Sequence, residues 1–267
     1  MTNRIDRAFD RLRSANEGAL IAFVTAGDPS IEGTPQLIAD LASAGADIVE
    51  LGVPYSDPLA DGPTIQDSTQ RALDRGTTPD TVFQLVRQAR TLTEVPIVLM
   101  TAYNIALKYG LDRYAKTCSE YGADGCILTD LPPEGSADWK AAADAAGVST
   151  VFLVAPTSTP DRIALITKYS TGFIYCVSRT GVTGTRQELP TELRDLVTNI
   201  RSGTDKPVCV GFGISSADHV KQVVDFADGA VIGSALVSFL HKNRDNSNLA
   251  DETRSLVSDW KKGTIRD

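Results

Sequence analysis

Short apolar runs rich in β-branched residues recur along this chain, and each is followed by a stretch with the period of an amphipathic helix. Eight runs predict strands, over Ala19–Thr25, Asp47–Leu51, Pro96–Thr101, Gly125–Thr129, Val148–Val154, Gly172–Cys176, Pro207–Gly211 and Gly229–Ile232. Helices are predicted over Thr34–Ser43, Thr78–Thr91, Asp112–Tyr121, Ser136–Ala146, Pro160–Tyr169, Leu189–Arg201 and Ser215–Phe226. The repeating unit is therefore a strand followed by a helix.

Apolar residues at nearly every strand position favour a parallel sheet that is buried on both faces, with the helices as crossovers. Eight evenly spaced units favour an α/β fold in the form of one (β/α)8 TIM barrel over an open doubly wound sheet. An extra N-terminal helix over Arg4–Arg13 is expected to plug the bottom of the barrel, and Leu249–Lys261 predicts a terminal helix. No segment resembles a linker, so residues 1–267 are predicted to form a single catalytic domain.

The phrases Ala-Gly-Ala-Asp at 44–47, Tyr-Gly-Ala-Asp at 121–124 and Phe-Ala-Asp-Gly at 226–229 each end a helix and start a strand. In the first two, glycine stands at or near the helix C-cap. These phrases mark the predicted bottom of the barrel.

The net charge and composition of the chain exclude several kinds of binding partner and site. The chain has 34 acidic and 26 basic residues, a formal net charge of −8, which has the wrong sign for binding nucleic acid or an anionic membrane through counterion release. The chain contains no secretory h-region and no apolar run long enough to span a membrane, so a cytoplasmic location is expected. The four cysteines stand apart, which favours small buried side chains over disulfides or a thiolate metal site.

Ligands of such barrels are handled where the strands end, so the residues there are the candidates for chemistry. Both histidines, His219 and His241, fall in helical stretches, and no lysine stands at a strand end. A histidine-bound metal and a Schiff-base lysine are therefore not expected, and no metal site is predicted. Carboxylates remain at or just after the strand ends: Asp28, Glu50, Asp57, Asp61 and Asp130.

Glu50 closes the second apolar run, and strand alternation places it on the same face as Ile48. If that face points into the barrel, desolvation raises the pKa of the carboxyl toward neutrality, which suits a group that both donates and accepts a proton. The alternative is a structural glutamate that holds a neighbouring loop.

The next segment, residues 52–63, is a long loop stiffened by three prolines, and loops of this kind usually carry function. Asp57 before Pro58 fits a simple turn residue. Asp61 fits either a functional carboxylate or an N-cap for a helix over Thr64–Leu73, and spacing does not choose between the two.

Glycines follow the last three predicted strands, in Thr180-Gly-Val-Thr-Gly-Thr185, Gly211-Phe-Gly-Ile-Ser215 and Gly233-Ser-Ala235. Glycine lets backbone N–H groups approach a ligand, and the last of these segments opens a helix whose N-terminus favours an anion. Together they predict a phosphate site, as is common after strands seven and eight of these barrels.

The segment Glu50-Leu-Gly-Val-Pro-Tyr-Ser-Asp-Pro-Leu-Ala-Asp-Gly-Pro-Thr-Ile-Gln66 closely resembles the signature of tryptophan synthase alpha subunits. Five further segments support the resemblance across most of the chain: Phe23–Pro29, Asp130–Glu134, Ala155–Thr157, Val177–Gly184 and Gly211–Ser215.

The resemblance implies a lyase of tryptophan biosynthesis that splits indole-3-glycerol phosphate into indole and glyceraldehyde-3-phosphate. Glu50 is implied to protonate indole C3 and to take the proton of the C3′ hydroxyl, while Asp61 stabilises charge at the indole N–H. The implied indole pocket consists of Phe23, Leu99, Ile127, Tyr175 and Phe212. The implied phosphate ligands are Gly184, Gly213, Gly233 and Ser234. Thr183 is implied to close onto Asp61 in a loop that also holds Arg179.

Two departures from the family pattern stand out. Tyr55 replaces the phenylalanine of many relatives, and its hydroxyl is expected to change the loop packing little. Thr101–Ile105 differs from the Tyr-Tyr-Asn-Pro of many relatives, so the resemblance does not define the pocket wall after strand three.

The resemblance also implies a partner, a beta subunit in an α2β2 heterotetramer that receives the indole. The loop with Pro54 and Asp57 resembles the contact surface for that subunit. No cofactor is expected on this chain, and pyridoxal phosphate (PLP) is expected on the beta subunit alone. Two alternatives remain open: another phosphate-binding barrel, such as an isomerase or indole-3-glycerol phosphate synthase, and a silent subunit that only activates its partner.

Overall fold

A computed structural model of the chain describes residues 3–59, 61–177, 191–211 and 213–266, without the side chain of Thr191. Eight parallel strands form a closed barrel in chain order, and β8 pairs with β1. They are β1 (Ala19–Thr25), β2 (Ile48–Gly52), β3 (Ile97–Thr101), β4 (Gly125–Leu128), β5 (Ser149–Val154), β6 (Ile174–Val177), β7 (Val208–Gly211) and β8 (Gly229–Ile232). The predicted (β/α)8 barrel is confirmed, and the closed pairing excludes the open sheet.

The helices surround the strands, and each predicted helix has a counterpart among them. They are α1 (Arg4–Ala15), α2 (Thr34–Ser43), α3 (Pro63–Asp74), α4 (Pro79–Ala89), α5 (Tyr103–Tyr109), α6 (Leu111–Tyr121), α7 (Ala137–Ala146), α8 (Pro160–Tyr169), α9 (Thr191–Arg201), α10 (Ala217–Val224), α11 (Ser234–Lys242) and α12 (Leu249–Lys262). The short helix α5 was not predicted, because it spans only seven residues and its N-cap, Ala102, offers no side-chain hydrogen bond. No helix in the described ranges is long and apolar enough to cross a membrane.

Side chains alternate along each strand between the barrel interior and the helix layer. On β2, Ile48 belongs to the interior cluster, whereas Val49 and Leu51 pack outward with the helices. The four cysteines are buried and free, as expected. This alternation decides which strand residues face a ligand inside the barrel.

Helix α1 closes the lower end of the barrel. Ile5, Phe9 and Leu12 on one face of α1 pack into the interior cluster. The helix is held in place by its N-cap, Asn3, whose Nδ2 donates to the Asp124 carbonyl at 3.1 Å and to the Ser149 hydroxyl at 2.6 Å. The expected plug is confirmed, so the interior opens toward the carboxyl ends of the strands.

The aspartates of the three repeated phrases share one structural task at the lower rim. Each carboxylate accepts a hydrogen bond from a backbone N–H at the start of the preceding strand: Asp47 from Leu20, Asp124 from Ile97 and Asp228 from Val208, all at 2.9 Å. Each also pairs with arginine or lysine side chains. The repeats therefore fasten neighbouring strands below the barrel, away from the candidate site.

Candidate active site

Three of the five candidate carboxylates accept hydrogen bonds that give them a structural role. Asp28 accepts two hydrogen bonds from the Arg71 guanidinium, at 2.9 and 2.7 Å. Asp130 accepts a bond from the Tyr103 backbone N–H at 2.6 Å. Asp57 is exposed and accepts a bond from the hydroxyl of the preceding serine at 2.7 Å, as a turn residue does. Glu50 and Asp61 remain as the carboxylates available for chemistry.

Glu50 lies on β2 with no exposed surface, at the interior position that follows Ile48. Neither carboxylate oxygen has a hydrogen-bond partner among the described residues. Burial raises the pKa of this carboxyl from 4.5 to about 8. A buried carboxyl without a cation or N–H donor carries a cost in stability, so the loop-holding alternative is not supported. A pKa in this range makes Glu50 the candidate for proton exchange near neutral pH.

Asp61 lies in the loop between β2 and α3, and it does not cap the helix. The N-cap of α3 is Gly62, which has no side-chain cap. Burial raises the pKa of Asp61 to about 6, while hydrogen bonding by the Tyr55 hydroxyl acts in the opposite direction. The N-cap alternative for Asp61 is therefore excluded.

A small cavity lies beside Asp61, above the layer of Glu50. Its lining includes Phe23, Tyr55, Asp61, Ile65, Met100 and Thr129, together with Gly52 at the end of β2. Gly52 is the next interior position above Glu50, and a Cβ there would stand 2.9 Å from the Phe23 ring. Glu50 thus lies one layer beneath the floor of a cavity that has Asp61 in its wall.

One predicted pocket residue is misplaced. Leu99 was expected in the pocket, but its side chain belongs to the outer cluster between strands and helices. The interior positions of β3 are Val98 and Met100. Every residue of β3 except Thr101 is apolar, so its sequence carries no alternating pattern that separates the two faces. Met100 takes the place that was assigned to Leu99.

Ile127 and Tyr175 both face the interior, as expected from the resemblance. Burial, followed by the charge of Glu50, raises the pKa of the Tyr175 phenol well above 10. The charge effect shows that Tyr175 and Glu50 share one region of the interior. Their part in binding a substrate stays a prediction.

Four residues that line the cavity were not predicted from the sequence: Tyr55, Ile65, Met100 and Thr129. Ile65 lies on α3 and Thr129 directly follows β4, so neither stands within a strand where alternation indicates its direction. Tyr55, whose hydroxyl was expected to change the loop packing little, lines the same cavity as Asp61 and Thr129. That proximity becomes visible only when the loop is folded.

The expected phosphate ligands that the structure describes follow two paired strands. Gly213 follows β7 with a φ of +47°, a conformation that favours glycine. Gly233 is the N-cap of α11 without a side-chain cap, and Ser234 is the exposed first residue of that helix. A helix start that no side chain caps leaves its N–H groups available for an anion. Thr183, Gly184, Phe212 and Arg179 lie outside the described residues.

Within the described residues, no group of three or more histidine, cysteine, aspartate or glutamate side chains is placed to hold a metal ion. His219 lies in α10 and His241 in the last turn of α11, as the sequence predicted. The fold defines the class of this protein, a (β/α)8-barrel enzyme, and the two carboxylates are its candidate acid-base groups.

Comparison with known proteins identifies the family. Residues 9–264 match the model of the family described as tryptophan synthase alpha chain. A tryptophan synthase alpha chain of Solibacter usitatus is 46% identical over 260 residues, 97% of each chain. One of Geobacter sulfurreducens is 49% identical over 256 residues, 96% of this chain and 97% of the relative. The chain belongs to the tryptophan synthase alpha chain family.

Solved structures agree with this assignment. The alpha subunit of tryptophan synthase from Legionella pneumophila superimposes with a TM-score of 0.92 at 34% identity, with 99% of each chain covered. A chain of tryptophan synthase from Mycobacterium tuberculosis gives 0.92 at 35% identity, with 100% of each chain covered. The likeness extends over the whole barrel.

Proposed function

We propose that this chain is a lyase that cleaves indole-3-glycerol phosphate into indole and glyceraldehyde-3-phosphate by a retro-aldol reaction, in tryptophan biosynthesis. The observation that carries the proposal is Glu50, a fully buried carboxyl without a hydrogen-bond partner among the described residues, one layer below a cavity with Asp61 in its wall. Membership in the tryptophan synthase alpha chain family supplies the substrate.

Glu50 acts first as an acid. With its pKa raised to about 8, a large share of the carboxyl is protonated at neutral pH, so it can protonate indole C3. The resulting carboxylate takes the proton of the C3′ hydroxyl, the C3–C3′ bond breaks, and its electron pair returns to the ring system. The products are indole and an aldehyde, and Glu50 is protonated again.

Asp61 acts as an anion. Protonation of indole C3 places positive charge on the ring nitrogen, and a carboxylate beside the N–H stabilises that charge. With a pKa of about 6, Asp61 is mostly ionised at neutral pH while Glu50 is mostly protonated. The protonated indole accepts the electron pair itself, so this mechanism requires neither an amine nor a metal.

The remaining site residues bind the substrate in this proposal. The indole is contacted by Phe23, Met100, Ile127 and Tyr175. Phe212, which lies outside the described residues, is assigned to the same pocket. Gly213, Gly233 and Ser234 bind the phosphate, joined by Gly184, and Thr183 closes onto Asp61. The support is the interior placement of the first group and the position of the second group after β7 and β8.

The chain is further proposed to be one catalytic domain over residues 1–267 and to work in the cytoplasm within an α2β2 heterotetramer. Its beta partner holds PLP and receives the indole. In the loop assigned to the beta contact, Asp57 is exposed and Leu59 is 90% exposed, whereas Pro54 is buried. An exposed leucine at a loop tip suits a contact with a second protein.

The test is an assay of the purified chain with indole-3-glycerol phosphate, alone and with a cognate beta subunit. Indole is expected slowly from the chain alone and faster with the partner. Absence of indole in both assays contradicts the proposal. Indole that requires the beta subunit and persists when Glu50 and Asp61 are both replaced by their amides identifies a silent activating subunit instead.

A further inference from the structure

The Gln66 side chain ties the end of the loop between β2 and α3 to the first turn of α3. Its amide nitrogen, Nε2, donates to the Asp61 carbonyl at 2.8 Å and to the Pro58 carbonyl at 3.2 Å. A primary amide carries two N–H donors, so one side chain satisfies both carbonyls at once. Both carbonyls can only accept, which requires the amide nitrogen, rather than its oxygen, to face the loop.

A backbone hydrogen bond closes the same segment of the loop. The Asp61 N–H donates to the Pro58 carbonyl at 3.1 Å, which is the bond between first and fourth residues of a β-turn. The Asp61 carbonyl, on the other side of the same Cα, is the group that Gln66 holds. The peptide planes before and after Asp61 are therefore each held by a hydrogen bond. Because those two planes determine the direction of the Cα–Cβ bond, they also determine where the carboxylate points.

Helix α3 is itself fastened to the barrel, so it gives the loop a fixed support. The Ser68 hydroxyl is buried and lies 2.7 Å from the Thr25 hydroxyl at the end of β1. Farther along the helix, the Arg71 guanidinium donates two hydrogen bonds to Asp28, in the loop after β1. The helix that carries Gln66 is thus held to β1 by side chains on its inner face.

The Asp61 carboxylate is not used to cap the helix that follows it. The N-cap of α3 is Gly62, and the first helical residue, Pro63, has no backbone N–H. Asp61 lines the cavity, whereas Gln66 is exposed and does not line it. Gln66 therefore contacts the backbone of Asp61 and leaves the carboxylate to face a ligand.

We propose that Gln66 is a positioning residue that directs the Asp61 carboxylate into the cavity by holding the carbonyls of Pro58 and Asp61. The inference deepens the proposed function and rests on it for the consequence in catalysis. A carboxylate turned away from the indole nitrogen stabilises less of the positive charge that develops there. Gln66 acts through Asp61 alone, since its own amide faces the backbone of the loop.

Replacement of Gln66 by methionine keeps the length of the side chain and removes both donors. The expected result is a fall in kcat of roughly 2–10-fold, as for the loss of neutral hydrogen bonds at an exposed position. KM is expected to change little, because the proposed role of Asp61 is to stabilise charge in the transition state.

The matched control is Gln70→Met, one turn farther along the exposed face of α3. The Gln70 amide donates to the Asp74 carboxylate at 2.7 Å and has no contact with the loop. This variant removes the same kind of donor from the same helix. It is expected to leave kcat and KM at their wild-type values.

A double-mutant cycle separates positioning from a general effect on the fold. In the Asp61→Asn background the carboxylate that Gln66 directs is absent, so Gln66→Met is expected to cause no further loss of kcat. A loss caused by local unfolding of α3 would instead appear in both backgrounds.

The experiment measures kcat and KM for Gln66→Met and Gln70→Met, each in the wild-type chain and in the Asp61→Asn background. It also measures the 15N order parameter of the Asp61 backbone amide by NMR in the full chain. A lower order parameter in Gln66→Met, with a loss of kcat that disappears in the Asp61→Asn background, supports the inference.

An unchanged kcat and order parameter in Gln66→Met overturn the inference, as does an equal loss of kcat in both backgrounds. Full activity of Asp61→Asn overturns the proposed function of Asp61 instead. In that case the order parameter still decides whether Gln66 holds the backbone of Asp61.

Discussion

Phe23 and Glu50 are partners in the register of β1 and β2, and both stand at interior positions of the barrel. The Phe23 ring lies against Gly52, directly above the layer of the carboxyl. An aromatic ring offers no N–H or O–H donor to a carboxylate, so the neutral acid is the favoured form of Glu50. Glu50 is therefore a buried carboxyl without a hydrogen-bond partner among the described residues. Four predictions follow from its surroundings and from those of the neighbouring site residues.

The burial of Glu50 predicts that Glu50→Gln stabilises the fold at alkaline pH. The pKa of the folded carboxyl, about 8, lies above its ordinary value of 4.5, so between these values the folded chain binds more protons than the unfolded chain. The wild type therefore loses stability as pH rises from 4.5 to about 8. Above pH 8 the free energy of unfolding of the variant is expected to exceed that of the wild type by an amount on the order of a few kcal/mol. Near pH 4 the two are expected to be equal.

Urea unfolding at pH 4.5 and pH 8.5 measures this difference. Glu94→Gln serves as the control, because Glu94 is largely exposed beside Arg4. An equal stability of Glu50→Gln and wild type at both values would show that the carboxyl is solvated in solution.

Asp61→Asn is predicted to lower kcat by roughly 10²-fold or more, because the amide no longer stabilises positive charge on the indole nitrogen. The acid limb that the wild type shows near pH 6, where the Asp61 carboxylate gains a proton, is expected to disappear. Steady-state kinetics across pH 5–9 measures both effects. Asp57→Asn is the control in the same loop, and a rate loss equal to that of Asp61→Asn would assign the effect to loop folding.

Leu99 and Met100 are neighbours on β3 with opposite expected responses to alanine. Leu99→Ala is predicted to destabilise the fold by roughly 2–5 kcal/mol, as for other buried leucines, and to leave KM unchanged. Met100 lines the cavity, so Met100→Ala is predicted to raise KM several-fold with a smaller loss of stability. Urea unfolding and kinetics on the two variants distinguish these roles, and the reverse result would return Leu99 to the pocket.

The sequence predicts the architecture well because the strand runs are long, apolar and evenly spaced. It also predicts that Glu50 shares a strand face with Ile48, but only the folded barrel shows that this face points inward. It fails for Met100 because β3 is apolar on both faces, so only the pairing of Val98 with Glu50 shows which side faces inward. It misses Tyr55 and Thr129 as cavity residues because the two are distant in sequence and meet only around the folded cavity.

The central claim is that Glu50 transfers the proton in the cleavage. The most direct measurement compares Glu50→Gln with wild type, using kcat for indole release and calorimetric binding of indole-3-glycerol phosphate. We predict a loss of roughly 10²–10⁴-fold or more in kcat with nearly unchanged affinity, since the amide keeps the shape and cannot exchange the proton. A variant that binds the substrate and retains most of the wild-type kcat would contradict the account.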